Sequence, residues 1–353
     1  NQFIQLPGNN HTLKNINLSF TDAQTGIINT VKNELCNVQF ENISIENETE
    51  NSNVGLIVNN TGEITNILFK DITINAPNAD YVACITKNEN SNTSEIQLNN
   101  VHVTGKGIVS GFIAETYATN FENITADKLD IIGNGQYVGG IFGNILSKQA
   151  SKLTNISLTN SNIQGSQNDV GGIVGYIPYS STIEIWLDNI IASNNYISGN
   201  YRVGGVSGNA GYGRHIEVNE STIVGNSYVG GISGVCSLLY DVKFLNGNVE
   251  AIGNYVGGIL GEQTNVETLY DCHVIESNIS STGDNVAGLF GINRRVLQYS
   301  SVENSYIKGR NNVGTLVGTN IMQVNNSYGY ACIVDGNNNV GGIVGYTSGS
   351  EEK

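Results

Sequence analysis

The chain has 353 residues, with 16 Lys and Arg against 31 Asp and Glu and a formal net charge of −15. Such a surface repels nucleic acid and anionic membranes, so we expect neither as a partner. No apolar run reaches the roughly 18 residues of a membrane span, and no signal peptide stands at Asn1. We therefore interpret the chain as a mature product or an excised piece of a longer protein, with no insertion into a membrane.

The cysteines are odd in number, with no close pair and no Cys-x-x-Cys motif. They are Cys36, Cys84, Cys236, Cys272 and Cys332. This spacing favours neither a disulfide scaffold nor a zinc site, and the histidines show no ligand spacing either. We therefore predict no metal and no cofactor.

An apolar motif interrupted by glycines recurs along the whole chain. Its form at Val170 is "VGGIVGY", and eight clear copies follow one another at intervals of 26 to 33 residues. The clear copies begin at Val138, Val170, Val203, Val229, Val256, Val286, Val313 and Val340. Degraded copies begin upstream at Gln24, Val54, Val82 and Val109. About twelve copies of one unit indicate a solenoid.

A second element precedes each motif and has the alternation of a β-strand. Apolar residues stand at relative positions 0, 3, 5 and 10, as in Leu153, Ile156, Leu158 and Ile163. No stretch keeps helical spacing for long enough to compete with this pattern. The sequence therefore predicts an all-β fold, a single-stranded right-handed parallel β-helix of about twelve coils. It spans residues 1–346, and residues 347–353 form a polar tail or linker.

The glycine motif is interpreted as a corner of each coil. Val170 and Ile173 are expected to point inward, with Gly171 and Gly172 taking positive φ or a bulge and Gly175 allowing close backbone approach. Relative position 2 of the preceding strand predicts a ladder of stacked amides. Its members are Asn15, Asn37, Asn66, Asn100, Asn123, Asn155 and Asn189.

These repeats resemble a known family. "VGGIVG", "VGGIFG" and "VAGLFG" are similar to the GLUG motif of bacterial surface and secreted proteins, and "GNNHTLKNINL" at Gly8 is similar to the start of β-helical exoproteins. The resemblance covers nearly all of the chain. It implies an extracellular or cell-surface β-helix from an adhesin, or the non-catalytic region of a secreted immunoglobulin A-type metallopeptidase. It implies no reaction, and the metallopeptidase motif HExxH is absent.

One break in the amide ladder could carry chemistry. Position 2 becomes His215, Asp241 and Asp271 in three successive units. Two carboxylates about 5 Å apart beside an imidazole suit a retaining glycosidase or a polysaccharide lyase. The structural alternative is that Asp and His replace Asn at a bend, and the motif pattern of polygalacturonases is missing. The chain is therefore predicted to be non-catalytic, with this trio as the enzymatic alternative.

The longest insertion predicts a binding site. "YIPYSSTIEIW" follows the corner at Val170 and contributes Tyr176, Tyr179 and Trp186, the last being the only tryptophan. The next coil brings Tyr212 and Arg214 to the same edge. Aromatic rings beside an arginine suit sugars or protein hot spots, while the alternative is a patch of irregular core.

The residue before each corner valine predicts a partial aromatic stripe on the outside, for stacking between coils or for recognition. The stripe consists of Tyr81, Tyr137, Arg202, Tyr228 and Tyr255.

Together these features predict a rigid extracellular stalk or binding module that presents loops to a host surface protein or a glycan. The same pattern allows end-to-end association through an uncapped coil or contact with neighbouring domains of a parent chain.

Overall fold

The computed structural model describes residues 10–21, 23–89, 92–117, 120–146, 149–180, 182–264 and 268–348. These residues form β-strands, turns and bends without any helix. Every strand pair is parallel, and one of the two sheets takes a single strand from each of 12 successive coils. The predicted all-β parallel solenoid of about twelve turns is confirmed. Of the predicted tail 347–353, Thr347 is the last residue of strand Val344–Thr347 and Ser348 is described, while 349–353 lie outside the described residues.

Each coil contains a long face, a short corner strand and a return strand. The long face is formed by His11–Phe20, Glu34–Asn47, Glu63–Ala76, Thr93–Gly105, Asn120–Gly133, Ser151–Thr159, Asn162–Gly165, Ile185–Ser193, Tyr196–Ser198, Ser207–Asn219, Thr222–Gly225, Ser233–Leu245, Asn248–Ala251, Leu269–Ile275, Asn278–Ser281, Leu297–Gln298, Ser301–Glu303, Tyr306–Lys308, Val324–Asn325, Tyr328–Tyr330 and Ile333–Asp335. The corner strands are Gln24–Thr25, Asn53–Val54, Tyr81–Val82, Ile108–Ser110, Val138–Gly139, Asn168–Gly171, Tyr201–Gly204, Ser227–Gly230, Val256–Gly257, Val286–Ala287, Asn311–Gly314 and Asn338–Gly341. The return strands are Ile28–Val31, Ile57–Asn60, Ile85–Asn88, Ile113–Thr116, Phe142–Ile145, Val174–Tyr176, Leu260–Gln263, Phe290–Asn293, Val317–Asn320 and Val344–Thr347. In two coils the strands Ser207–Asn219 and Ser233–Leu245 serve as return strand and next long face together.

The core is a stack of equivalent apolar residues from successive coils. Val170 pairs with Val138 on one side and Val203 on the other, and all three are fully buried. Ile141 donates its backbone N–H to the carbonyl oxygen of Ile173 at 3.1 Å, and both side chains are fully buried. The expected inward orientation of both apolar positions in the corner is therefore confirmed.

The close backbone approach predicted for Gly175 is confirmed, since a Cβ there would lie 2.7 Å from the carbonyl oxygen of Gly143, but Gly171 and Gly172 do not take the predicted positive φ. None of them has φ in the left-handed range; that conformation belongs to the residue before the valine, as in Asp169 with φ 57° and Arg202 with φ 54°. A Cβ on Gly172 would lie far inside contact distance of the carbonyl oxygen of Gly205 in the next coil. The glycines are required because backbones of stacked corners approach too closely for a side chain.

The predicted amide ladder is present, but two of its predicted members are part of a different ladder. Asn66 donates to Asn37 at 2.6 Å, and further along the same ladder Asn155 donates to Asn123 at 2.9 Å. Glu95, not Asn100, fills the place next to Asn123, and Asn123 donates to it at 2.7 Å.

Asn15 and Asn100 stand instead in a second ladder, five residues further along each coil. There Asn42 donates to Asn15, and Asn100 donates to Asp71, each at 2.7 Å. Both ladders mark bends with positive φ, for example 57° at both Asn15 and Asn123. Asn tolerates this conformation better than most residues, so asparagines at the two bends are indistinguishable by residue type.

The last described coil exposes residues whose equivalents are buried in the other coils. Val340 is 44% exposed, whereas Val313 in the preceding coil is 0% exposed. The stacking partner of Val340 is Val313, and no described coil covers its other side. This coil therefore offers sites where a substitution meets no neighbouring coil.

Candidate functional site

Four aromatic rings lie in contact across consecutive coils on the outside of the long face. We call Trp186, Tyr212, Tyr240 and Tyr270 the aromatic platform. The ring centroids of Trp186 and Tyr212 are 5.1 Å apart, those of Trp186 and Tyr240 are 6.0 Å apart, and those of Tyr240 and Tyr270 are 4.9 Å apart. Tyr179, from the insertion, adds an exposed ring 6.5 Å from Tyr212.

Strand register places these rings in two neighbouring outward rows. Trp186 pairs with Tyr212 in the first row, while Arg214, Tyr240 and Tyr270 pair successively in the second. Side chains on a strand alternate between faces, so positions on either side of the buried Leu187 both point outward. Regular parallel pairing thus brings together residues that are 26 or 30 positions apart in the chain.

Asp188 is the charged centre beneath the platform. Its side chain is 8% exposed, and its oxygens lie 2.8 Å from Arg214 Nη2, 2.9 Å from Lys152 Nζ and 2.7 Å from His215 Nδ1. Burial acts to raise the pKa of Asp188, but hydrogen bonds from these three partners outweigh it and hold the pKa below its ordinary value. Arg214 lies with its Cζ 5.1 Å from the Trp186 ring centroid and donates to the Tyr240 hydroxyl at 2.8 Å. Asp188 therefore fixes the arginine against the rings.

Replacing Asp188 by asparagine is expected to lower the free energy of unfolding by about 2 kcal/mol at neutral pH, since it removes charged hydrogen bonds from a buried acceptor. Because the folded-state pKa is lowered, the wild-type contribution is complete above the ordinary Asp pKa of about 4 and is lost as pH falls through the folded value. Urea unfolding at several pH values should show the difference between wild type and Asp188→Asn shrinking below about pH 4.

Asp335 provides the control for this measurement. Its ion pair with Lys308 is half exposed, so Asp335→Asn should change the free energy of unfolding by less than about 1 kcal/mol. Equal losses in the two variants would contradict a structural role for Asp188.

The structure brings four of the five predicted binding residues together and leaves one apart. Tyr179, Trp186, Tyr212 and Arg214 meet at the platform, although Tyr212 itself is only 9% exposed. Tyr176 instead stacks on Tyr137 with centroids 4.6 Å apart, on the side of the corner. Tyr176 therefore belongs to a different surface.

Only part of the predicted corner stripe forms a row of rings in contact, namely Tyr228 and Tyr255 together with the unpredicted Tyr201, and these rings are tilted against each other. Tyr228 lies 4.7 Å from Tyr255 and 4.7 Å from Tyr201, measured between centroids. Tyr201 directly precedes Arg202, whose guanidinium turns to Asp169. All of these rings are half-buried, so the stripe contributes contacts between coils.

The trio His215, Asp241 and Asp271 occupies adjacent places in the first ladder. All three side chains are about half exposed, and their φ values of 51°, 51° and 56° are those of the bend. His215 Nε2 lies 3.8 Å from an Asp241 oxygen, and Asp271 is engaged by His273 Nε2 at 2.8 Å. The trio thus faces solvent on adjacent coils, and each member has an ionisable side chain as a partner.

Sequence reasoning missed Tyr240, Tyr270 and Asp188. A signal was present, because each directly precedes a ladder residue and holds the same relative position as Arg214. Comparing that position across units would have aligned Asp188, Arg214, Tyr240 and Tyr270 into one row.

Comparisons with known proteins identify no relative. No protein-family model matches the chain, and neither the curated proteins nor the solved structures contain a match. Among the described residues, no helix could cross a membrane, and no group of three or more His, Cys, Asp or Glu side chains could hold a metal ion.

Proposed function

We propose that this chain is a non-catalytic, extracellular β-helical stalk and binding module of a bacterial surface adhesin or large secreted protein. The observation that carries the binding role is the aromatic platform, four rings in contact across coils with an arginine held against them. The stalk role is supported by the unbroken stacking of twelve corner strands. The extracellular bacterial setting rests on the resemblance to GLUG repeats.

The platform has the composition of a recognition surface. Tyr and Trp bury large areas at a small cost in conformational entropy and are enriched in binding hot spots. Tyr179 and Tyr270 are 41% and 40% exposed, although they stand beside other rings that could have covered them. A solenoid could bury such rings in its core, so their placement outside supports contact with a glycan or a host surface protein.

A binding screen with the purified chain tests this proposal. Arrays of neutral and acidic glycans and of host surface proteins should reveal at least one partner. The double variant Tyr179→Ala/Trp186→Ala should bind that partner about 30-fold more weakly, the effect of losing about 2 kcal/mol at a hot spot.

Tyr196→Ala is the matched control. Tyr196 is 43% exposed, close to the value for Tyr179, but it lies beyond the second bend on strand Tyr196–Ser198. The control should bind as the wild type does. Absence of any partner, or equal weakening by control and double variant, would contradict the proposal.

A hydrolase or lyase is the alternative, favoured by the exposed carboxylates of Asp241 and Asp271 on adjacent coils. An assay on acidic polysaccharides distinguishes it: cleavage by the wild type that Asp241→Asn abolishes would replace the binding proposal with an enzymatic one.

A further inference from the structure

A polar pocket of about 450 Å³ lies on the long face, on the three coils directly before the platform. Its polar side chains are two asparagines, three hydroxyls, one carboxylate and one ammonium. They are Asn92, Thr93, Ser94, Asn120, Glu122, Lys152 and Thr154. Asn120 donates to Asn92 at 3.2 Å, so the amides of neighbouring coils are already ordered with respect to each other.

The pocket and the platform belong to the same two outward rows. In the first row Asn120 pairs with Lys152, which pairs with Trp186. In the second row Glu122 pairs with Thr154, which pairs with Asp188. The rows therefore continue without a gap from the pocket to the rings.

We call the two outward rows, from the pocket to the platform, the band. The band is long enough that only an extended ligand could contact both of its ends. From Ser94 to Tyr270 the second row crosses six coil steps. At the strand spacing of about 4.8 Å, the band is about 29 Å long.

The charges of these two rows give no net attraction for an anionic ligand. Lys152 and Arg214 share the single carboxylate of Asp188, and Glu122 supplies a second negative charge. The four charges therefore sum to zero, on a chain whose net charge is −15. Amides, hydroxyls and a carboxylate are hydrogen-bonding partners for hydroxyl groups, and aromatic rings pack on apolar faces.

We propose that the pocket is a second subsite for an extended, uncharged oligosaccharide, whose chain lies along the solenoid axis and whose other end stacks on the aromatic platform. This inference rests on the proposed binding function and names its ligand class. It assigns the pocket residues Asn120 and Glu122 to hydrogen bonds with sugar hydroxyls. Affinity should therefore depend on the length of the oligosaccharide.

Calorimetric titration with β-1,4-linked glucose and N-acetylglucosamine oligomers of two to eight units tests this. Wild-type affinity for at least one series should rise more than tenfold with length and reach a plateau once both subsites are filled. Asn120→Ala/Glu122→Ala should bind short oligomers normally but lose the increase. Tyr179→Ala/Trp186→Ala should weaken binding at every length. Oligogalacturonates of equal length should bind more weakly than the neutral series.

Glu250→Ala, which removes an exposed carboxylate from strand Asn248–Ala251, is the control and should keep the length dependence. An unchanged length dependence in Asn120→Ala/Glu122→Ala overturns the second subsite while platform binding stands. Failure of both neutral series, or tighter binding of oligogalacturonates, overturns the ligand class. The proposed binding function would fail by a different result, namely that no glycan and no protein on the arrays binds the chain.

Discussion

Replacing Gly172 by alanine is expected to unfold the centre of the solenoid, with a loss of more than about 4 kcal/mol in the free energy of unfolding. The added methyl group would overlap the carbonyl oxygen of Gly205, a backbone atom that cannot move without separating two coils. The corner is also where each coil hydrogen-bonds to the next, as in the N–H of Gly172 donating to Gly204. Urea unfolding followed by circular dichroism measures the loss.

Gly342 is the matched control because it holds the same position in the last repeat. A Cβ on Gly342 would have no atom within 4 Å, so Gly342→Ala should change stability by less than about 0.5 kcal/mol. A comparable loss in both variants would mean that backbone conformation, and not the approach of stacked coils, requires these glycines.

Removal of the Arg202 side chain is expected to cost about 3 kcal/mol, because it leaves Asp169 charged and buried. The Asp169 side chain is 1% exposed and receives two bonds from Arg202, 2.5 Å from Nε to Oδ1 and 2.6 Å from Nη2 to Oδ2. Burial raises the pKa of Asp169, and the bonds from Arg202 offset this only in part. Thermal and urea unfolding of Arg202→Ala should show the loss.

The double variant Asp169→Asn/Arg202→Ala should recover part of that stability, since a neutral amide costs less to bury than a carboxylate. The deficit of Arg202→Ala should also shrink as pH falls, because loss of the bonds from Arg202 leaves the pKa of Asp169 higher in the variant than in the wild type, so the folded variant gains more from protonation. A double variant no more stable than Arg202→Ala would show that Arg202 acts through packing alone.

The fold could be predicted from the sequence because each coil must solve the same steric problem. Val170 and its stacked equivalents Val138 and Val203 are all buried in the apolar core, and Gly172 lies against the backbone of the next coil at Gly205. Each coil therefore retains the same residues at the same places. The register of the bends could not be predicted in full, since Asn15 and Asn37 are equally suited to positive φ although they belong to different ladders.

The candidate site was predicted only where an irregularity marked it. The insertion drew attention to Tyr179 and Trp186, and the adjoining coil to Tyr212. Tyr240 and Tyr270 stand within regular repeats, so nothing in their local sequence sets them apart. Tyr176 was grouped with Tyr179 and Trp186 by proximity in the chain, whereas a few residues around a corner are enough to place it beside Tyr137.

The sequence by itself determined that this chain stacks like residues in a parallel solenoid, because a repeated apolar and glycine pattern admits one arrangement that buries it. The tertiary structure decided which outward side chains become neighbours. Coil lengths vary from 26 to 33 residues between corners, so separation along the chain does not fix alignment across it. The position within the repeat aligns Asp188, Arg214 and Tyr240 in one row, but only the packing of the folded side chains decides that Arg214 bonds both Asp188 and the Tyr240 hydroxyl.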